Sequence, residues 1–305
     1  MTRSGTVAGV ELGGTKSIVI VAVDGRIVEQ EAFATDAPAT TLPRLADWLA
    51  QRAPDDGFAG LGIATFGPVR LDRAAPDFGH ILVTPKTGWT GVSVVEPLTA
   101  RLRCPVLIDT DVNAAAMAEY RWGAAQGCSS LAYVTIGTGI GVGVLVNGQP
   151  VHGRMHPEAG HLSFRRAPGD AFGGVCAFHR DCVEGLLSGP ALAARFGQDP
   201  AKLGVEDGRW RHAAHDLAEL LTSLLLTLSP QRILIGGGVG IGAPHLLPAA
   251  IALVPSLLGG YLPDLDAATL AETVRIAGLG EKAGPLGAVA LAQDAASEGP
   301  SDQRR

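Results

Sequence analysis

Two glycine-rich segments of this chain share a pattern of residue types that could bind a phosphate. An apolar run near the start reaches Gly13–Lys16, and a similar run in mid-chain reaches Gly137–Gly139. A second apolar run follows each segment and ends, at matched spacing, in Asp24-Gly25 or Asn147-Gly148. Glycine lets main-chain N–H groups approach an anion closely, and a threonine hydroxyl adds a donor. Two ordinary β-hairpins are the alternative, but the matched spacing favours a site for a nucleoside triphosphate.

Two carboxylates lie where an apolar run meets a helical pattern. Asp109 and Asp111 follow the run 105–108 and precede the alanine-rich stretch 113–122. An aspartate at such a junction could simply cap the helix. The functional interpretation is a general base directed at a substrate hydroxyl, because phosphoryl transfer needs a carboxylate that accepts the proton of the nucleophile.

A third group of residues has the spacing of a metal site. Cys176, His179 and Cys182 form a Cys-x2-His-x2-Cys pattern, and His156 and His161 precede it. Zinc is bound tetrahedrally by such ligands, and His161 or His156 would supply the fourth. Because four protein ligands leave no open position, we expect a structural Zn2+ that staples an irregular loop.

Other polar residues suit a sugar or a phosphate. Glu158, His161 and Glu184 could hydrogen-bond to sugar hydroxyls, although each alone is more commonly a solvated surface residue. Lys86 could contact a phosphate and Trp89 could stack on a sugar, but a solvated lysine and a packed tryptophan are the commoner cases.

The elements that must position these residues form two similar halves. Asp-Gly and Asn-Gly between apolar runs indicate hairpins, which predicts three-stranded meanders over 7–33 and 130–151. Strand–helix alternation after each meander indicates an α/β fold, in which ligands gather beyond the carboxyl ends of strands. Helical patterns are seen at 41–53, 92–102, 113–122, 191–196, 217–228 and 283–292.

Composition bounds the class of protein. The chain has 305 residues, of which 47% are hydrophobic and 18% charged, so we expect two globular domains. The net charge is -6 without a Lys/Arg cluster, which makes nucleic acid an unexpected partner. No apolar run reaches the roughly 18 residues that span a bilayer, and no leader is evident, so we expect a cytoplasmic protein without membrane contact. Its four cysteines would be reduced, which favours metal over disulfide.

Together these motifs resemble the ROK family of sugar kinases, within the actin-like ATPase superfamily, from about Val7 to Ala292. The resemblance rests on segments 11–16, 135–141, 235–239, 111–115, 158–161 and 184–190. It implies a two-lobed actin-like ATPase fold (a duplicated ribonuclease H-like fold) with a zinc-stapled loop. We expect lobes at 1–112 and 113–282, a helix at 283–296 that packs back on the first lobe, and a flexible tail at 297–305.

The resemblance also implies roles for individual residues. Asp111 would be the general base. The implied sugar-binding residues are Gly67, Thr110, Asn113, Glu158, His161 and Glu184. The implied ATP-binding residues are Gly13, Gly14, Thr15, Lys16, Gly137, Thr138, Gly139, Gly236, Gly237 and Gly238. The implied zinc ligands are His161, Cys176, His179 and Cys182, and Mg2+ would neutralise the phosphates.

Within the family, the chain is most similar to bacterial fructokinases, in segments 64–69 and 84–89 and in its Cys/His pattern. This implies ATP-dependent conversion of D-fructose to fructose 6-phosphate by a homodimer whose lobes close over both substrates. Glu11 stands where most members have Asp, although fructokinase-like members often have Glu. Thr110 stands where many have Asn, which leaves mannose, glucose or an amino-sugar as alternative substrates.

Two other classes of protein are alternatives. Sugar-responsive repressors share the fold but carry a DNA-binding domain before the first meander, where this chain has about six residues. A chaperone-like or structural ATPase of the superfamily would have no use for the combination of Glu158 and the Cys/His pattern. Both alternatives are therefore disfavoured.

Overall fold

The computed structural model describes residues 5–298. Contacts divide the chain into two compact units, the first formed by the described parts of Met1–Ala118, Pro150–His156 and Glu281–Arg305, and the second by Glu119–Gln149 and Pro157–Gly280. The lobes 1–112 and 113–282 remain a proposal, as does the tail 297–305, whose residues from 299 onward lie outside the described range.

Each unit contains one five-stranded sheet. The strands are β1 Thr6–Leu12, β2 Lys16–Val23, β3 Arg26–Ala34, β4 Leu61–Thr65, β5 Val106–Thr110, β6 Ser130–Ile136, β7 Ile140–Val146, β8 Gln149–Pro150, β9 Arg232–Gly236 and β10 Val274–Ile276. The orders are β3-β2-β1-β4-β5 and β10-β9-β6-β7-β8, so the second sheet repeats the topology of the first. Both predicted meanders are confirmed, as is the α/β fold class with its duplicated sheet.

The helices occupy most of the remaining chain. They are α1 Pro38–Ala50, α2 Glu96–Leu102, α3 Asp111–Trp122, α4 Val183–Leu187, α5 Gly189–Phe196, α6 Trp210–Leu228, α7 Gly237–Gly242, α8 Leu246–Leu257, α9 Ala267–Thr273 and α10 Ala283–Ser297. No helix in the described range 5–298 is long and apolar enough to cross a membrane.

Some predicted helix limits were wrong. The helix expected from residue 92 begins at Glu96, because 92–94 bond to a neighbouring loop through Val94 N–H and Gly79 O (2.9 Å). Pro97 lies in the first turn of α2, where its missing N–H costs nothing. The helix expected from residue 217 begins at Trp210.

Small residues let α10 lie directly on the first sheet. A Cβ atom at Gly60 would overlap the main chain of Ala292, and one at Gly62 would overlap the main chain of Ala288. A Cβ atom at Gly9 would lie 3.2 Å from the Ala288 side chain. The helix therefore packs on β1 and β4 through backbone contact, and larger side chains at these glycines would push it away.

Candidate active site

Strand register in the first unit brings distant segments to one sheet edge. Leu12 of β1 pairs with Thr65 of β4, and Thr65 pairs with Thr110 of β5, all in parallel. The carboxyl ends of these strands therefore meet. The residues that follow them are Gly13, Gly67 and Asp111, all identified as candidates from the sequence.

The bend Gly13–Lys16 is braced by its neighbours. The Gly13 N–H donates to the Lys16 carbonyl at 3.1 Å, and the Thr35 hydroxyl donates to the Gly13 carbonyl at 2.8 Å. The Lys86 ammonium donates to the carbonyls of Gly14 and Thr35. Lys86 thus braces the bend, a role that neither of its sequence interpretations anticipated. Residues 14–16 remain exposed, as a phosphate-binding bend requires.

The start of α3 presents Asp111. The Thr110 hydroxyl accepts a hydrogen bond from the Asn113 N–H at 3.2 Å, so Thr110 serves as the helix cap. The Asp111 carboxylate accepts the Val112 N–H at 2.9 Å. Burial raises the pKa of Asp111 to about 6, against the opposing effect of hydrogen bonds from the main chain. The carboxylate is therefore more basic than an ordinary aspartate.

Glu11 on β1 is a second buried carboxyl near Asp111. Burial raises its pKa to about 7, the charge of Asp111 adds to this, and Lys16 opposes it. Its Oε2 atom has no hydrogen-bond partner among the described residues, and a Cβ atom at Gly284 would overlap the carboxylate. Glu11 was not among the site residues that we predicted from the sequence. The available signal was a carboxylate within an otherwise apolar strand.

Asn113 and Gly67 are also held firmly. The Asn113 amide nitrogen donates to the buried Asp109 carboxylate at 2.8 Å. The loop after Gly67 is anchored where the Val69 N–H donates to His156 Nε2 at 3.1 Å. His156 therefore lies in the first unit with a partner of its own, and the alternative that it is a zinc ligand is wrong.

In the second unit, the glycine segments 137–139 and 236–238 lie close together. The Gly189 N–H donates to the Gly137 carbonyl at 2.7 Å, and a Cβ atom on Gly137 would lie 4.0 Å from the Gly238 nitrogen. Gly237 has φ +81°, and a Cβ atom there would lie 2.5 Å from the Ile136 carbonyl oxygen. Close packing and a left-handed backbone thus both require glycine at this position.

Glu184 lies against the Gly137–Gly139 bend. Its carboxylate accepts the Ile140 N–H at 3.1 Å, and a Cβ atom on Gly139 would lie 2.7 Å from Glu184 Oε2. Segment 158–161, which precedes Glu184 in the chain, contains a short turn over Ala159–His161. In this turn the His161 N–H donates to the Glu158 carbonyl at 3.0 Å. The Glu158 side chain is exposed.

Four side chains in the second unit come together as a candidate metal centre. The ligand atoms of His161, Cys176, His179 and Cys182 all lie within 4.8 Å of one another. His161 Nδ1 is 3.5 Å from Cys182 Sγ and 3.8 Å from Cys176 Sγ, and Cys176 Sγ is 3.9 Å from His179 Nδ1. Tetrahedral zinc with ordinary bond lengths separates its ligands by about 3.4–3.8 Å. The arrangement could therefore hold a metal ion of this size.

The thiols of this cluster would need a bound cation to ionise at neutral pH. Burial raises the pKa of Cys182 to about 11, and Cys176 and Glu184 contribute to the increase. Without a bound cation the thiol would stay protonated at neutral pH, whereas metal binding requires the thiolate. The donor set of two sulfurs and two imidazole nitrogens suits zinc.

Comparison with known proteins identifies the family. Residues 7–295 match the sequence model that describes the ROK family. The chain belongs to the ROK family. A ROK relative from Zymomonas mobilis, named fructokinase, is 39% identical over 291 residues that cover 93% of this chain and 95% of the relative.

Solved ROK structures share the fold. A ROK hexokinase from Thermus thermophilus has a TM-score of 0.76 at 29% identity and covers 96% of this chain and 100% of its own. A ROK glucokinase from Streptomyces griseus, solved with glucose and AMPPNP, has a TM-score of 0.72 at 25% identity and covers 95% and 100%. The duplicated α/β fold is thus the actin-like ATPase fold that the sequence predicts.

Proposed function

We propose that this ROK protein is a fructokinase, which transfers the γ-phosphoryl group of ATP to the 6-hydroxyl of D-fructose. The observation that carries the proposal is the raised pKa of Asp111 at the sheet edge where the Gly13–Lys16 bend also lies. The similarity to the Zymomonas mobilis fructokinase supports fructose as the substrate.

Asp111 would act as the general base. A pKa of about 6 leaves the carboxylate ionised at neutral pH and makes it a better proton acceptor than an unperturbed aspartate. The proton of the attacking hydroxyl would pass to this carboxylate as the phosphoryl group moves. The transition state is loose, so positioning of the two substrates would account for much of the rate.

Main-chain N–H groups would bind the nucleotide. We assign the β- and γ-phosphates to the bends Gly13–Lys16 and Gly137–Gly139, and adenosine to Gly236–Gly238. Mg2+, when bound, would neutralise phosphate charge. Glu11 suits such a cation, because its Oε2 atom is a buried carboxylate oxygen without a partner among the described residues.

The sugar would be held by hydrogen bonds to several residues. The residues proposed for this role are Gly67, Thr110, Asn113, Glu158, His161 and Glu184. Carboxylate, amide and imidazole groups suit hydroxyl ligands. We also propose that His161, Cys176, His179 and Cys182 hold a structural Zn2+, which would fix the loop that bears these residues.

A coupled ADP-release assay with ATP and Mg2+ tests the proposal against fructose, mannose, glucose, glucosamine and no sugar. Release that depends on fructose supports a fructokinase. Release that depends on another hexose would make that hexose the substrate in place of fructose. Glucose is the main alternative, because the similar Streptomyces griseus structure is a glucokinase solved with glucose. Absence of sugar-dependent release from folded, zinc-loaded protein contradicts the kinase assignment for these hexoses.

A further inference from the structure

A histidine outside the residues assigned so far contacts the start of α3. His152 Nε2 lies 2.8 Å from Asp109 Oδ2, although the two residues are 43 positions apart in the chain. The Asp109 side chain is 2% exposed, whereas that of His152 is 41% exposed. Segment Pro150–His156 belongs to the first unit, so this contact joins two segments of the same compact body.

Asp109 accepts hydrogen bonds from three sides. Its Oδ1 atom accepts the Thr110 N–H at 2.7 Å and the Asn113 amide at 2.8 Å, and its Oδ2 atom faces His152. An ionised carboxylate can only accept, so the His152 Nε2 atom carries the hydrogen in this contact. His152 therefore supplies the hydrogen-bond donor for Asp109 Oδ2, and a buried carboxylate oxygen left without a donor is costly.

The direction in which the pKa of His152 is shifted agrees with this geometry. The hydrogen bond to Asp109 raises the pKa of His152, burial opposes the increase, and the charge of Asp109 adds to it. The pair is therefore a charge-assisted hydrogen bond, which is stronger than a neutral one.

Asp109 also determines how the Asn113 amide is oriented. Because the carboxylate can only accept, the amide nitrogen of Asn113 must face Asp109, and the amide oxygen must lie on the other side. Thr110 already caps α3, so Asp109 is not needed as the cap. Besides accepting the Thr110 N–H, the buried Asp109 holds Asn113 in one of its two amide orientations.

We propose that His152 and Asp109 are a positioning pair for sugar binding. His152 holds Asp109, and Asp109 holds the Asn113 amide so that its oxygen serves as an acceptor for a hexose hydroxyl. This inference rests on the proposed function, since it assumes that Asn113 contacts the sugar. It adds His152 and Asp109 to the residues that determine sugar affinity, although neither touches the sugar.

Steady-state kinetics of two His152 variants test the role. We expect His152→Ala to raise the KM for fructose roughly tenfold, as for loss of a charged hydrogen bond, while the KM for ATP stays within about twofold. His152→Gln retains an N–H donor and should recover most of the affinity for fructose. His80→Ala is the control, because the contact of His80 is with the Phe78 carbonyl in the same unit.

Three kinetic results would overturn the proposal or a part of it, two of them in His152→Ala. One is a KM for fructose in His152→Ala within about twofold of the wild-type value, and the other is an equal increase in the KM values of both substrates, which would indicate a general structural effect. A Gln variant as impaired as the Ala variant would overturn the hydrogen-bonding role.

A titration of His152 by NMR separates this proposal from the proposed function, because it needs no activity. We expect a pKa above the ordinary histidine value of about 6.5 in the wild-type protein and a lower value in Asp109→Asn. If Asp109→Asn does not fold, the wild-type titration decides, and a pKa at or below the ordinary value overturns the pair. A raised pKa of His152 in a wild-type protein without sugar-dependent turnover would contradict the proposed function, and with it the role of the pair in sugar binding, but not the pairing of His152 with Asp109.

Discussion

The Glu184 carboxylate accepts a hydrogen bond from the main-chain N–H of Ile140 at 3.1 Å. This bond joins the first turn of α4 to the start of β7, directly after the bend Gly137–Gly139. A residue proposed to bind sugar thus also supports a bend proposed to bind phosphate, which ties the two binding functions together.

We therefore expect Glu184→Ala to raise the KM values of both fructose and ATP, each by roughly tenfold. Glu184→Gln keeps a carbonyl acceptor for the Ile140 N–H and should spare the KM for ATP while it still raises that for fructose. Steady-state kinetics with each substrate varied would measure this, with the exposed Glu206→Ala as control. An unchanged KM for ATP in Glu184→Ala would contradict the supporting role.

Asp111→Asn should lower kcat by about 10²–10⁴-fold, because an amide cannot accept the proton of the hydroxyl. The fold should persist, and the melting temperature should equal or exceed that of the wild type, because a carboxylate that burial destabilises has been removed. Coupled assays and thermal unfolding measure these effects, with the exposed Asp55→Asn as control. A folded Asp111→Asn protein with normal turnover would exclude Asp111 as the base.

The activity should depend on pH through the same carboxyl. The pKa of Asp111 is raised to about 6, so the base is protonated below that pH and ionised above it. We expect kcat/KM to rise with pH along a limb centred near 6, where Asp111 and the neighbouring Glu11 titrate as a coupled pair. A profile from pH 5 to 9 checks this, and a limb centred near the ordinary aspartate value of about 4 would argue against a buried base.

Glu11 should make the folded state less stable as the pH rises. Its pKa is raised from 4.5 to about 7, so the folded protein binds more protons than the unfolded chain between these values. Above pH 7, Glu11→Gln should therefore increase the free energy of unfolding by on the order of 2–3 kcal/mol, and the gain should vanish near pH 4.

Urea unfolding at several pH values, without Mg2+, would measure the effect of Glu11→Gln. Glu206→Gln serves as the matched control, since the Glu206 carboxylate is exposed to solvent and its charge carries no desolvation cost in the folded state. A variant that is less stable than the wild type at pH 8 would show that the folded state benefits from the charge of Glu11.

Metal analysis should find about one zinc ion per chain, and removal by a chelator should lower the melting temperature by roughly 5–15 °C. Cys182→Ser should lose the metal and show a similar decrease, because one of four ligands is gone. Cys128→Ser is the control, since Cys128 is a free cysteine of the same unit outside the cluster. Wild-type protein that folds fully without metal and gains no stability from zinc would refute the structural role.

Much of the fold could be predicted from the sequence because it is encoded over short distances. Asp24-Gly25 and Asn147-Gly148 adopt positive φ angles, as tight hairpins require, so both meanders were predictable. The cap of α5 is equally local, since the Ser188 hydroxyl accepts the N–H of Ala191 three residues further on. The spacing of Cys176, His179 and Cys182 identified most of the candidate metal centre, since ligands three residues apart can reach one ion.

Other relationships depended on strand register and packing between distant segments. The sequence offered His156 and His161 equally as the fourth metal ligand, and only the fold placed His156 on Val69 N–H instead. The sequence offered an aspartate as the cap of α3, and the structure shows that Thr110 caps it instead.

By itself, the sequence determined the two meanders, the glycine bends and the Cys/His pattern, because turn conformation and ligand spacing are local properties. The tertiary structure alone decided which carboxyls are buried and which groups they meet. The charge of Asp111 raises the pKa of Glu11 across 100 positions of the chain, and His152 reaches Asp109 across 43. Such pairs follow from parallel strands that end at one sheet edge and from the desolvation that packing imposes, and neither effect can be read from residue spacing.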